Sequence, residues 1–200
     1  MNYECVEIAG RAELRQWLEA NAGQADSVWL VTWNKGDARY VPYTEIVDEA
    51  LCFGWVDSLP RKLDGARTML LLSPRRAGSA WSKVNKEKAE RLIREGLMRP
   101  RGLTKIEEAK LSGDWDKLES VDALEAPEDL LASLRVQPDA ERNWDAFPKS
   151  VRRGILEWII QAKRPETRAN RIAETSRLAA RGERANQWRP KSVRSEEGER

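Results

Sequence analysis

Leu59-Pro60-Arg61-Lys62-Leu63-Asp64-Gly65-Ala66-Arg67-Thr68-Met69-Leu70-Leu71-Leu72-Ser73 reads as a β-hairpin. Asp64-Gly65 is a pair that accepts the positive φ of a tight hairpin turn. Thr68 to Leu72 has the length and apolar continuity of a buried strand, and Leu59 to Leu63 is its partner. Upstream, Ser27-Val28-Trp29-Leu30-Val31-Thr32-Trp33 is β-branched and aromatic, a second strand, closed by the turn Asn34 to Asp37. Tyr40-Val41-Pro42 is expected as a brief return strand, with Pro42 at an edge because proline cannot donate to a ladder. Ala12 to Ala20 is a helix with Leu14, Trp17 and Leu18 on one side. Thr44 is read as the N-cap of a helix reaching Phe53, which Gly54 ends. The fold class is therefore α+β: a small antiparallel sheet with helices in the N-terminal half.

Beyond Pro74 every signal is helical. Ser79 or Ser82 caps a helix to Glu95, with Trp81, Val84, Leu92 and Ile93 expected inside. Leu103 to Leu111 is another helix, and Asp114-Trp115-Asp116 opens a polar connection. Pro127, Pro138, Pro148 and Pro165 each stand where a helix begins, a position that tolerates the missing N–H. After Pro148, residues Val151, Ile155, Trp158, Ile159 and Ala162 fall on one stripe. Gly182 ends the last helix. The expected organisation is an α+β domain over 1–100, a helical module over 101–182 and a disordered charged tail over 183–200.

Histidine is absent from the 200 residues. This removes Ser-His-Asp and Cys-His catalysis and imidazole-based zinc sites. No metal and no cofactor are expected. Cys5 and Cys52 make no disulfide framework, and Cys52 sits in an apolar helical pattern. No run approaches the ~20 apolar residues of a membrane span. With no secretory signal at the N-terminus, the expected location is the cytoplasm. Nine tryptophans stand beside two phenylalanines and three tyrosines. Most are expected in the core, with one or two lining a groove. The net charge of +2 hides an asymmetry. Arg61 to Lys105 carries 13 Lys+Arg against 4 Asp+Glu, and Glu107 to Asp145 carries 4 against 12.

Ala50-Leu51-Cys52-Phe53-Gly54-Trp55-Val56-Asp57, Ser73-Pro74-Arg75-Arg76, Ser79-x-Trp81-Ser82-x-x-Asn85-Lys86 and Gly96-x-Met98 resemble motifs of the bacterial YdeI/OmpD-associated, or bacteriocin-protection, family. So do Phe147-Pro148-x-Ser150, Glu157-Trp158-Ile159 and Ala162-Lys163-Arg164-Pro165-Glu166-Thr167-Arg168. The likeness runs over most of residues 10 to 182. It implies a link to protection against bacteriocins and cationic antimicrobial peptides, and to a porin or the envelope. It implies no cofactor and no catalytic residue, so none is carried over.

Trp55, Asp57, Arg75, Arg76, Ser79, Trp81, Ser82 and Asn85 form the candidate site. A chain entering a helix through Arg-Arg-x-Gly-Ser presents backbone N–H groups beside guanidinium donors, which suits a phosphate or carboxylate. Trp55 or Trp81 can stack a ring. The structural alternative assigns the serines to capping, Trp81 to the core and Asp57 to an arginine pair. The leading expectation is a non-catalytic binding protein whose partner is an anionic small ligand, a protein or a peptide. An enzyme using Asp57 with Ser58 and Lys62 or Arg75 is the rival. Nucleic acid is disfavoured. The basic block is interleaved with Glu87, Glu90 and Glu95, which pair along an ordinary solvated helix, and no nucleic-acid module is present. The acidic segment Glu107 to Asp145 would attract a cationic peptide, and a plain acidic linker predicts the same composition.

Overall fold

The computed structural model describes residues 3–187. They separate into two compact units, one ending at Leu118 and one beginning at Glu119. In the first unit the elements are β1 (Glu4–Glu7), α1 (Arg11–Ala20), β2 (Val28–Trp33), α2 (Tyr43–Cys52), β3 (Trp55–Lys62), β4 (Arg67–Pro74), α3 (Lys83–Arg94) and α4 (Pro100–Ser112). The strand order is β1-β2-β4-β3. β2 and β3 both run antiparallel to β4, with Leu30 opposite Leu70 and Trp55 opposite Pro74. The hairpin turn is fixed by Asp64, whose carboxylate accepts from the N–H groups of Ala66 and Arg67, both at 2.8 Å.

The α+β class stands, but the sheet is mixed rather than wholly antiparallel. β1 pairs with β2 in parallel. Parallel neighbours need a crossover, and α1 supplies it. Residues 40–42 form no return strand. The Tyr40 N–H donates to the Asp37 carbonyl, and the Arg39 side chain grips the Asp37 carboxylate. The chain therefore turns, and Pro42, not Thr44, stands at the N-cap of α2.

The core gathers Val28, Leu30, Leu70 and Leu72 from the sheet with Leu14, Leu18, Ile46 and Leu51 from α1 and α2. α3 is rotated from its expected setting. Ala89 and Leu92 are buried, whereas Val84 and Ile93 are exposed. The cause is long-range charge. Lys88 and Arg91 both reach the buried Asp48 of α2, which turns their face of α3 inward. Much of the basic block is paired in this way. Lys86 bonds Asp116, Arg67 bonds Asp64 and Glu7, and Lys105 bonds Glu108.

A boundary at residue 100 would detach α4, yet α4 belongs to the first unit. Gly102 is the reason: a Cβ there would collide with the Cys52 carbonyl oxygen and lie 2.8 Å from the Met98 methyl. Only glycine lets α4 lie this close to the end of α2. Gly102→Ala is expected to destabilise by about 1–3 kcal/mol through overpacking against backbone, despite the ~1 kcal/mol of helix propensity that alanine gains. Urea unfolding would check this. A neutral or stabilising result would mean that α4 is free to move away.

In the second unit α5 (Glu119–Asp122), α6 (Glu128–Val136), α7 (Ala140–Ala146) and α8 (Lys149–Ile160) precede α9 (Pro165–Ala179), which packs against α6, α7 and α8. Leu130, Leu134, Trp144, Ile155, Ile159 and Leu178 fill the interior. In α8 the expected stripe is shifted: Leu156 is buried and Trp158 is half-buried, stacked on Arg171. Asp129 and Arg168 pair through two bonds of 2.8 and 2.9 Å. Of the expected disordered tail, Glu183 to Gln187 are described, with Ala185 buried, and the remainder, including Trp188, lies outside the described residues. Among the described residues no helix is long and apolar enough to cross a membrane.

Candidate functional site

β4 runs out at Pro74, and the chain passes through Arg75, a turn over Arg76–Ser79 and Trp81 before α3 begins. The Ser79 N–H closes the turn on the Arg76 carbonyl, and Gly78 takes the left-handed φ of 82° that the turn requires. The end of α4 lies opposite. Together they enclose a cleft of about 460 Å³, with Arg75, Arg76, Ser79 and Trp81 on one wall and Lys105, Glu108, Leu111 and Asp114 on the other.

Arg75 is the unusual member. It is only 4% exposed. Its N–H is fixed on the Gly54 carbonyl at 2.9 Å, and its guanidinium lies 3.7 Å from the centre of the Trp81 ring. Nη1 donates to the Ala80 carbonyl at a long 3.4 Å. Nε and Nη2 are buried with no acceptor, and no carboxylate among the described residues bonds this side chain. Burial pushes its pKa down to about 10, with only the Asp57 charge pulling the other way. The group is still a cation at neutral pH. A buried charge without a hydrogen-bonded counterion is expensive, and native proteins rarely keep one for packing alone.

The other charges of the cleft are partly engaged. Lys105 bonds Glu108 at 2.7 Å. Asp114 accepts from the Ser112 hydroxyl at 2.8 Å and from the Gly78 N–H at 2.9 Å, with Lys117 at 3.7 Å. These partners, the Ser112 hydroxyl first, hold the Asp114 carboxyl below its ordinary value against the effect of burial. Arg76 is exposed. Trp81 is buried, its ring 4.9 Å from that of Trp115, and Leu111 stands 90% exposed at the rim.

Four of the eight sequence candidates therefore meet: Arg75, Arg76, Ser79 and Trp81. The other four do not line this cleft. Trp55 is in the core, edge-on to Trp17 at 5.6 Å. Ser82 accepts from the Asn85 N–H at 3.3 Å, which is the N-cap of α3. Asp57 accepts from the Tyr43 hydroxyl at 2.6 Å. The wall supplied by α4 escaped the sequence reading. Gly102 and the Asp114-Trp115-Asp116 connection were its signals, since the one brings α4 close and the other places Trp115 on Trp81.

The Tyr43–Asp57 pair makes its own prediction. Burial first, and then the bond to Asp57, push the Tyr43 hydroxyl up to about 12. Its folded value lies above its unfolded one. The contribution of the hydroxyl to stability is therefore complete below the ordinary tyrosine range and is lost as pH rises through the folded value. Alkaline titration followed by phenolate absorbance should show one late tyrosine. Asp57→Asn should bring it part of the way back, because burial remains. Unchanged titration in that variant would disprove the bond.

A second depression of about 390 Å³ lies beside Tyr40, Tyr43, Pro60, Lys62 and Thr68, with the Thr32 hydroxyl buried and unpaired at its floor. It holds no buried charge, so the Arg75 cleft is the stronger candidate.

A mixed-sheet α+β unit that carries the Arg75 cleft is followed in the chain by a helical unit. The chain belongs to the family described as a domain of unknown function, DUF8412, whose model matches residues 6–105, half of its length. Residues 123–182, in the helical unit, match the model described as bacteriocin-protection, YdeI or OmpD-associated. The likeness read from Phe147 to Arg168 falls inside that second match, and the motifs of the first half fall inside the first. Neither the curated proteins nor the solved structures contain a match to this chain. The DUF8412 match takes in Arg75, Arg76, Ser79, Trp81 and Lys105, and ends before Glu108.

Proposed function

We propose that the chain is a non-catalytic binding protein whose first unit captures an anionic group in the Arg75 cleft. The observation that carries this reading is the guanidinium itself, charged at neutral pH, enclosed, stacked on Trp81 and left with two bare donors. Asp57, the residue an acid–base enzyme would use, is tied to Tyr43. Ser58 reaches only the Leu71 carbonyl at 3.4 Å. Both facts favour binding over chemistry.

Thermal unfolding of the full chain with benzoate, phenylphosphonate or sulfate tests this. A ligand that binds only the folded state raises Tm with occupancy. The rise should vanish in Arg75→Met. Arg76→Ala should alter intrinsic stability by less than about 0.5 kcal/mol, because its side chain is exposed. No rise with any of the three anions, or a rise undiminished in Arg75→Met, would overturn the reading.

The name of the family matched by the second unit speaks of bacteriocin protection and OmpD association. We propose that this chain serves such protection from the cytoplasm, with the helical unit as its interaction module. A strain lacking the chain should be more readily killed by a bacteriocin, and re-expression should restore survival. Equal survival of the two strains would refute that role.

A further inference from the structure

The two bare donors of Arg75 share one edge. Nε–H and the outer nitrogen Nη2 present parallel N–H groups along the same side of the guanidinium, the fork that grips both oxygens of a carboxylate at once. The remaining nitrogen, Nη1, is the one turned to Ala80. We infer that the cleft takes a monocarboxylate carried on a small apolar or aromatic body, an inference that rests on the anion-binding reading of this site.

Charge supports the class. The lining holds three cations, Arg75, Arg76 and Lys105, against two carboxylates, Glu108 and Asp114. One negative charge balances that set. A dianionic phosphoryl group would exceed it and would face both carboxylates. The body of the ligand is set by the other lining residues. Trp81, Ala77, Ala109 and Leu111 give the cleft an apolar wall, and Leu111 lies bare at the rim. The volume of about 460 Å³ lies in the range of small-molecule sites. Solvent reaches neither Nε nor Nη2. The carboxylate therefore enters as the Arg76–Ser79 turn moves aside on Gly78. Asp114, through its bond to the Gly78 N–H, is the clasp that holds the turn.

Isothermal titration of the full chain with benzoate, phenylphosphonate and benzamide separates the possibilities. Benzoate should bind about tenfold or more tightly than phenylphosphonate, and benzamide should not bind. Arg75→Lys should weaken benzoate by about tenfold or more, because an ammonium cannot offer the paired donors. Arg94, exposed on α3 and outside the cleft lining, is the control, and Arg94→Lys should retain binding. Phenylphosphonate binding as well as benzoate would overturn the carboxylate class and leave the anion site standing. Absence of binding by both anions, or equal binding in Arg75→Lys, would remove the anion site itself. If Arg75→Lys fails to fold, the Arg75 Nε–H resonance of the wild type decides instead. It should shift on addition of benzoate, and an unmoved resonance under saturation overturns the fork.

Discussion

Trp55→Ala will unfold the first unit at a cost of about 3–5 kcal/mol, the range for removing a large buried aromatic side chain. The ring is wholly enclosed, sits edge-on to Trp17 and stands at the start of β3, where the strand pairs with Pro74. Gly54 precedes it at a φ of 76°, with the backbone of Arg101 and the stem of Lys105 close by. The cavity left by alanine would open in the core beside Trp17 of α1, which would lose its ring partner. Trp55→Phe should be much milder, about 1–2 kcal/mol. It keeps most of the apolar volume and removes an indole N–H that has no acceptor, relieving an unsatisfied buried donor. Urea unfolding of the two variants measures the contrast. A near-normal stability of Trp55→Ala combined with lost ligand binding would return this ring to the binding site and refute its place in the core.

That contrast bears on how much the sequence disclosed. The β3–β4 hairpin was legible because its determinants are local: Asp64-Gly65 at the turn and an apolar run on one side. The helix starts at Ser82, Pro148 and Pro165 and the stop at Gly182 were legible for the same reason. β1 was not, since four residues with two glutamates carry no period of their own and gain strand character only from pairing with β2. The rotation of α3 was hidden too. Val84 and Ile93 look like core by spacing, and only Asp48, some forty residues away in the chain, turns the cationic face inward.

At the site the same limit appears in sharper form. Arg75 and Arg76 are adjacent and chemically identical, and the sequence gives no reason to treat them differently. The strand has ended at Pro74, and the turn that starts at Arg76 carries that side chain to solvent while Arg75 stays enclosed against Trp81. Trp55 and Trp81 were equally plausible as ring-stacking platforms. Packing with Trp17 places Trp55 in the core, while Trp81 supports Arg75. The second wall of the cleft depends on a close approach of α4 that Gly102 permits, a relation between distant segments that no local pattern expresses.

The prediction that bears most on function is that Arg75→Met will stabilise the ligand-free protein while abolishing anion binding. A guanidinium held at about 10, well below its ordinary value, is disfavoured in its charged form by about 3 kcal/mol at neutral pH. Stacking on Trp81 returns about 1–2 kcal/mol of this. Methionine has similar reach, no charge to desolvate and favourable contact with an indole. A net gain of about 1–2 kcal/mol is therefore expected, in line with the replacement of other buried charges by apolar side chains. For a unit of this size that is a rise of roughly 4 °C in Tm per kcal/mol. The pH dependence follows from the direction of the shift. The folded pKa lies below the unfolded one, so the penalty is complete below the folded value and fades as pH rises through it. The advantage of Arg75→Met should thus be constant near neutrality and shrink above about pH 10. Saturating benzoate should reverse the order, since it stabilises only the protein that can bind it. Stability kept below its maximum at a binding residue is what selection for binding leaves behind. If Arg75→Met instead lowers Tm in the absence of ligand, the guanidinium is there to hold Trp81 and the turn together, and the case for an anion site loses its main support.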